Sequence, residues 1–586
     1  MKESHRIGLI AVLSFVIYGA STRYGFIAID DGGQVLENPF VGALTWDNLR
    51  GMFTNSTVGM YQPLTTLLFT FINLAFGHAS ATPFHVVSLL LHVLNGLLVY
   101  RLGKRLLEEP RLAFILSMLF VAHPLAVEAV CWVSATSTLL FTAFYLASML
   151  AYDRFLAEGQ RQPYLHAVVW FTLGCLAKVQ MLPFVGVLFL LDYWRGGALI
   201  DSKRLVEKLP FIGIAICFGM ISWHFRGGQS GFTGDFNPIL LVPSQVLWYL
   251  IKTFAPFQLG IVYDWPAEAW NGWNVGAYAA LAGLGTLLFR YRNQKLIVFG
   301  ALFFLGNIIL HTALVTSFLG PYADRYAYLS SLGIWFMVIG VARTMKPALL
   351  NPSSVNVVGI GAIVVFTGLA LQQTRHWQDT IALWTHNLEN QKATFSNGMR
   401  GALHYEAGQF ARAKRDFEKV DANPDSRFEP EKLSYLYTAL GLMTTDAEPQ
   451  NSLRYFKKAA EWKPQPEAFE NVALAAKKLG DLKTAEQFYQ QIPRDFKPPS
   501  YFMNLSTLYF ESQQFDKGAA VMTQAIDAGF GDLLCYKMRC FFRIEIGDFA
   551  GANEDYEQAS KMLEQVPGAN PDPDLQNLRM RLLLQR

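Results

Sequence analysis

Apolar runs dominate the first two-thirds of the chain, at residues 7–23, 83–100, 112–130, 134–151, 164–179, 180–194, 210–224, 275–289, 296–316, 327–342 and 354–372. A bilayer core is ~30 Å thick and a helix rises ~1.5 Å per residue, so runs of about twenty residues cross it. The pattern predicts an all-α polytopic membrane domain of about eleven transmembrane helices over residues 1–373. Another apolar stretch, 240–262, carries Pro243, Lys252, Pro256 and several aromatics. It reads as interfacial or re-entrant, because breaks and a charge inside hydrocarbon need protein or water to satisfy them.

The pattern changes after residue 373. Small residues recur at Ala413, Ser452, Ala485, Gly518 and Ala552, spaced 39, 33, 33 and 34 apart. Each is followed four residues later by a bulky one: Phe417, Phe456, Tyr489, Met522 or Tyr556. Gly408, Gly480 and Gly547 precede three of them by five residues, where paired helices need a tight turn. A period near 34 with a small residue at a close helix crossing is the signature of tetratricopeptide (TPR) helix pairs. The expectation is a connector over 374–394 and a TPR α-solenoid of about five repeats over 395–586. Such a stack presents a concave face for a peptide or protein partner, with a rigid spacer as the plainer alternative.

Charge orients the spans. Residues 1–373 hold 23 of the 49 Lys and Arg. With a cytoplasmic N-terminus and 240–262 not crossing, 17 of those 23 fall in inner loops, a strong positive-inside bias. Letting 240–262 cross puts Arg290, Arg292 and Lys295 outside and spoils the bias. Eleven crossings then leave the repeats on the outer side. Residues 1–18 look like a secretory leader, yet the many spans that follow favour an uncleaved first helix. A net charge of +3 without a basic block argues against nucleic acid as a partner. The five cysteines show neither metal-ligand spacing nor a disulfide framework and read as apolar filler.

Ionisable and polar residues near spans gather at the outer ends: Asp30 and Asp31 after the first run, Tyr61 and Gln62 in the first outer loop, and His85 and His92 on the second. His123 and Glu128 follow the third, Lys178 lies between the fifth and sixth, Arg226 follows the seventh, and Asp324 and Arg325 precede the tenth. Carboxylates can deprotonate an acceptor hydroxyl, while Arg and Lys neutralise a leaving phosphate, so this set suits group transfer from a phosphate-linked donor. Adjacent side chains on an extended segment face opposite ways, so one of Asp30 and Asp31 faces substrate while the other orients the loop or binds a metal. Each residue also has a structural alternative: a turn for the two aspartates, interhelical hydrogen bonds for the histidines, an internal ion pair for Glu128, and headgroup anchoring for Lys178 and Arg325.

In order, Asp30-Asp31, Asn38, Tyr61-Gln62-Pro63-Leu64, His85, His92, His123-Pro124 with Glu128, Leu176-Ala177-Lys178 and Ala323-Asp324-Arg325-Tyr326-Ala327-Tyr328-Leu329, ahead of terminal repeats, resemble the transmembrane and tetratricopeptide-repeat O-mannosyltransferases and their bacterial relatives in the GT-C glycosyltransferase superfamily. Two positions depart from that pattern: Gln62 stands where the family often has Arg, and Val179 where it has Glu. The short repeat array looks bacterial, which implies an inner membrane with periplasmic repeats. The resemblance implies inverting transfer of a sugar, mannose among the candidates, from a polyprenyl-phosphate donor to an acceptor hydroxyl on a protein at the outer face. In that reading Asp30 is the base and Asp31 supports it. Arg325, Lys178 or Arg226 holds the lipid phosphate, Glu128 and His123 position substrate, and a divalent metal is an open possibility. The competing expectations are a non-catalytic membrane scaffold that recruits partners through its repeats, and a transporter. The latter is weakened because the ionisable groups collect at one face rather than at the midplane.

Overall fold

The computed structural model describes residues 1–197, 204–226, 236–312, 319–345, 352–391, 393–425, 427–493, 496–565 and 570–584, with the side chains of 226 and 352–355 outside that description. Among the described residues the regular structure is helical, apart from one isolated bridge between Thr57 and Met60. They form two compact units, Met1–Ser396 and Asn397–Arg586.

As far as they are described, all eleven runs of the first unit fall on helices; residues 313–316 of the run 296–316 lie outside the described residues. Six are long and apolar enough to cross a bilayer: Glu3–Arg23, Thr82–Leu107, Val133–Glu158, Leu205–Phe225, Asp324–Thr344 and Asn356–Trp377. The third run is a bent pair, Pro110–Ala122 and Pro124–Cys131, set at 55°. Pro124 has no N–H to continue the ladder, and His123 Nδ1 instead accepts the Leu125 N–H at 3.1 Å. The remaining four runs are Arg161–Ala177, Phe184–Trp194, Gly272–Arg290 and Lys295–Ile308. The count of eleven therefore stands as six clear spans, one broken one and four helices that fall short by length or composition. The stretch expected to be interfacial holds the helix Val242–Phe254, only 13 residues long, followed by irregular chain.

The long loop after the first helix is more ordered than expected. It contains Trp46–Thr54, capped by Thr45 accepting the Asn48 N–H at 3.1 Å, and Pro63–Phe76, opened by a proline at its first turn. Their outward faces carry exposed Trp46, Phe53, Phe71, Leu74 and Phe76, an apolar surface suited to lipid rather than water.

Two buried acids tie helix ends together. Asp153 pairs with Arg105 and, at 2.7 Å, with Arg195. Asp192 pairs with Lys208 at 2.5 Å. All three cations belong to the set that the charge bias puts on one side of the membrane. Their convergence satisfies carboxylates that could not stay ionised alone in so apolar a setting.

The second unit is built of five helix pairs and a closing helix, Pro573–Leu584. The small residues Ala413, Ser452, Ala485, Gly518 and Ala552 lie buried on the second helix of each pair. A Cβ added to Gly441 would stand 2.5 Å from the Phe456 ring, and one added to Gly401 would stand 2.6 Å from Phe417. The bulky residues of the repeat thus occupy the space that the glycines leave. Gly408, Gly480 and Gly547 turn the chain with φ of 70°, 75° and 82°, a region closed to most side chains.

Candidate functional site

The chain leaves its first helix and bends back on itself before Asp30. Asp31 is fully buried, and both its oxygens are occupied. Oδ2 accepts the Ile27 N–H at 2.7 Å; Oδ1 accepts the Ser134 N–H at 2.8 Å and the Ser134 hydroxyl. Burial pushes this carboxyl up to about 6, against the pull of those three donors. The effect is mechanical: Asp31 fastens the loop to the turn Val133–Ala135, and its neighbour is held in place. Asp30 is half-buried, and its carboxyl is raised by desolvation, with Arg325 and then Lys178 pulling the other way. Asp30 therefore stands within electrostatic reach of two cations that follow it by about 150 and 300 residues.

Glu128 lies on the short helix Val127–Cys131. Its Oε2 accepts the Arg325 backbone N–H at 2.7 Å, and its Oε1 meets the Arg325 guanidinium. The guanidinium also lies 5.1 Å from the Trp132 ring centre and 4.9 Å from that of Tyr326. Two carboxylate contacts and two ring faces leave the arginine little rotational freedom, so a positive charge is fixed in a dry place. Lys178, buried where Arg161–Ala177 ends, donates to Thr138 Oγ1 at 2.7 Å and interacts with the charges of Arg325, Glu128 and Asp30. Asp324 accepts the Tyr263 hydroxyl at 2.7 Å, so the carboxylate beside Arg325 faces a separate polar contact.

Asp30, Glu128, Lys178 and Arg325 come together, with Asp324 in electrostatic reach of Glu128 and Arg325; Tyr61, Gln62, His85, His92 and His123 do not join them directly. His92 bonds to the Tyr328 hydroxyl at 2.8 Å and the Val121 carbonyl at 3.2 Å. His123 spends both nitrogens on Leu125 N–H and, at 2.9 Å, the Thr253 carbonyl. Both serve the packing of helices. His85 approaches the Gly25 carbonyl at 3.4 Å and so supports the loop that carries the aspartates. Gln62 donates to Gln34 Oε1 at 3.0 Å. Tyr61 stacks on Phe225 at 5.5 Å and donates to the Phe53 carbonyl at 3.2 Å, at the edge of the loop helices. The side chain of Arg226 lies outside the described residues. Among those described, no three His, Cys, Asp or Glu side chains group as a metal site.

Sequence reasoning passed over a cleft beside Arg325, lined by Thr138, Phe141, Gln180, Asn307, His311, Tyr326, Leu329 and Ser330. His311 stacks on Tyr326 with ring centres 4.1 Å apart. An imidazole inside an apolar run and a glutamine two residues beyond Lys178 were the available signals.

With this arrangement in view, residues 62–225 match the family model described as Dolichyl-phosphate-mannose-protein mannosyltransferase. The chain resembles protein O-mannosyltransferases. The Drosophila melanogaster protein O-mannosyl-transferase Tmtc2 is 28% identical over 44% of this chain and 30% of its own length. The Caenorhabditis elegans protein O-mannosyl-transferase F38B6.6 is 20% identical over 65% of this chain and 57% of its own length. Human protein O-mannosyl-transferase TMTC1 is 32% identical over 26% and 18% respectively. The chain thus spans less than two-thirds of each of these relatives. The match reaches Gln62, His85, His92, His123, Glu128 and Lys178, while Asp30 and Arg325 lie on either side of it.

Proposed function

We propose that this chain is a membrane glycosyltransferase that moves a hexose, mannose by analogy with its relatives, from a polyprenyl-phosphate donor to a protein hydroxyl. The observation that carries the reading is the meeting of a half-buried aspartate with two fixed cations from remote segments. Asp30 takes the proton of the acceptor hydroxyl. The hydroxyl oxygen attacks the anomeric carbon from the face opposite the phosphate, and the carbon–oxygen bond to the phosphate breaks with its electron pair leaving on the phosphate oxygen. Arg325 and Lys178 neutralise that oxygen, in a site dry enough for the charges to count. Glu128 holds Arg325 in line, and Asp31 holds the Asp30 loop. The isoprenoid tail stays in lipid, beside the apolar faces of the first-loop helices.

In the same reading the N-terminus is cytoplasmic, as in a bacterial inner membrane, the site opens at the outer face, and the repeats stand outside, where they present the acceptor protein. Arg226 is a further candidate for the phosphate; Tyr61, Gln62, His85, His92, His123 and Asp324 position substrate indirectly, by holding the helices and loops that carry the central groups.

The test is transfer from a polyprenyl-phosphate mannose to a peptide by the purified full chain in liposomes. Removing a general base costs about 10²–10⁴-fold in rate, so Asp30→Asn should fall by that factor while inserting and folding normally. Full activity in Asp30→Asn removes the base assignment. Absence of transfer by the unaltered chain, with partner proteins still captured by the repeats, favours the scaffold reading.

A further inference from the structure

The cleft beside Arg325 contains an unpaired acceptor. Gln180 Oε1 is sealed from solvent and receives no hydrogen bond among the described residues. Natural folds rarely leave such an atom, because a buried acceptor without a donor has lost its water for nothing. The cavity it borders measures ≈ 10 Å³. That is room for about one water-sized group, hence for one hydroxyl and not for a sugar ring.

The lining decides the chemistry of the occupant. A cavity of this size has no room for a phosphate, whereas a single hydroxyl fits and can pair with the Gln180 amide. A hydroxyl offers one donor and two acceptor positions. Gln180 Oε1 takes the donor, while the acceptor positions face Thr138 Oγ1, whose own lone pair is held by Lys178 Nζ at 2.7 Å, and the fixed guanidinium of Arg325. Asn307 is tied back by its amide to the Phe303 carbonyl at 2.8 Å, and Ser330 by its hydroxyl to the Tyr326 carbonyl at 3.1 Å, so these two set the shape of the wall. The His311–Tyr326 stack closes the remaining side with a flat surface.

We propose that Gln180 is a specificity residue: it reads one hydroxyl of the donor sugar, with Thr138 and Arg325 completing the contact and His311 with Tyr326 fixing the approach. This rests on the transferase reading above and deepens it. Arg325 thus turns its in-plane N–H groups to both the phosphate and the sugar, its faces being covered by Trp132 and Tyr326, which links leaving-group recognition to sugar recognition in one side chain.

The measurement compares kcat/KM for two polyprenyl-phosphate hexoses that differ at a single hydroxyl, in the unaltered chain, Gln180→Leu and Gln180→Glu, each assayed as full chain in liposomes. Losing a contact to one hydroxyl in a buried site removes about tenfold or more of discrimination. Gln180→Leu should lose at least that preference, mainly through the KM of the favoured donor, and Gln180→Glu, which keeps an acceptor oxygen, should retain more of it. Thermal unfolding gives an independent readout. Leucine replaces an unsatisfied acceptor with an apolar group, so the variant should be as stable as the parent or more so, and a lost preference is then not a lost fold. An unchanged donor ratio in Gln180→Leu, alongside robust transfer, shows that the atom merely holds a water and overturns the proposal while leaving the transferase reading intact. Failure of the unaltered chain to use either donor overturns both.

Discussion

The two neighbouring aspartates offer the sharpest contrast. Asp31 accepts three hydrogen bonds, two from backbone N–H groups at 2.7 and 2.8 Å and one from Ser134, whereas Asp30 is held by charge alone in the contacts described. Asp31→Asn keeps one carbonyl oxygen and turns an NH₂ toward at least one of those donors. Two donors then face each other in a buried place, and each stranded donor costs about 1–3 kcal/mol. The expected loss is therefore ~2–6 kcal/mol for Asp31→Asn and more for Asp31→Ala, which strands all three. Asp30→Asn breaks no such bond and relieves a buried charge, so its stability should match the parent while transfer is lost. Burial also sets a pH signature for Asp31. Its folded value of about 6 lies above the ordinary 3.8, so the folded chain retains a proton that the unfolded chain releases. The stabilisation from this group is fully present below pH ~4 and is lost as pH rises through about 6, since the unfolded state binds fewer protons there. Reversible unfolding in mixed detergent, followed by tryptophan fluorescence from pH 4 to 8, measures both effects. Equal stability of Asp31→Asn and Asp30→Asn, or a slope between pH 4 and 6 that is undiminished in Asp31→Asn, would refute the division of labour.

Other perturbations probe neighbouring parts. Glu128→Ala should cost about 3–5 kcal/mol, because it strands the buried Arg325 guanidinium and its backbone N–H; Glu128→Gln should cost less on the same unfolding assay, and equal costs would argue against the ion pair. Because burial lifts the Asp30 carboxyl, the acid limb of the kcat–pH profile should lie above the ordinary carboxylate value near ~3.9 and flatten in the residual activity of Asp30→Asn. Gly441→Val places atoms where the Phe456 ring already stands, so the repeats should lose about 1–3 kcal/mol, seen as earlier proteolysis of the second unit with transfer to a short free peptide unchanged. Asp416→Ala removes the acceptor of a bidentate pair with Arg400 at 2.7 and 2.8 Å and should likewise weaken the first repeat.

The linear order of residues settled the architecture at the level of segments. Apolar run length marks helices that lie in lipid, and a 34-residue recurrence of small and bulky positions marks paired helices, because both signals depend only on neighbours within a few turns. As far as they are described, the eleven apolar runs and the five repeat positions therefore fall on helices, and Gly408, Gly480 and Gly547 fall at turns of positive φ. The loop helices Trp46–Thr54 and Pro63–Phe76 escaped notice because each is too short to show a full apolar span. Which of the polar groups at the ends of the spans meet was a tertiary matter. His92 and Glu128 look equally suggestive in the chain, yet one bonds to a tyrosine between helices and the other grips an arginine almost 200 residues away. The partners of a buried polar group are chosen by whatever the folded chain brings within hydrogen-bond reach, and no local pattern encodes that distance. For the same reason Gln180, an ordinary residue in the sequence, became conspicuous only when the fold sealed its oxygen away from every donor among the described residues.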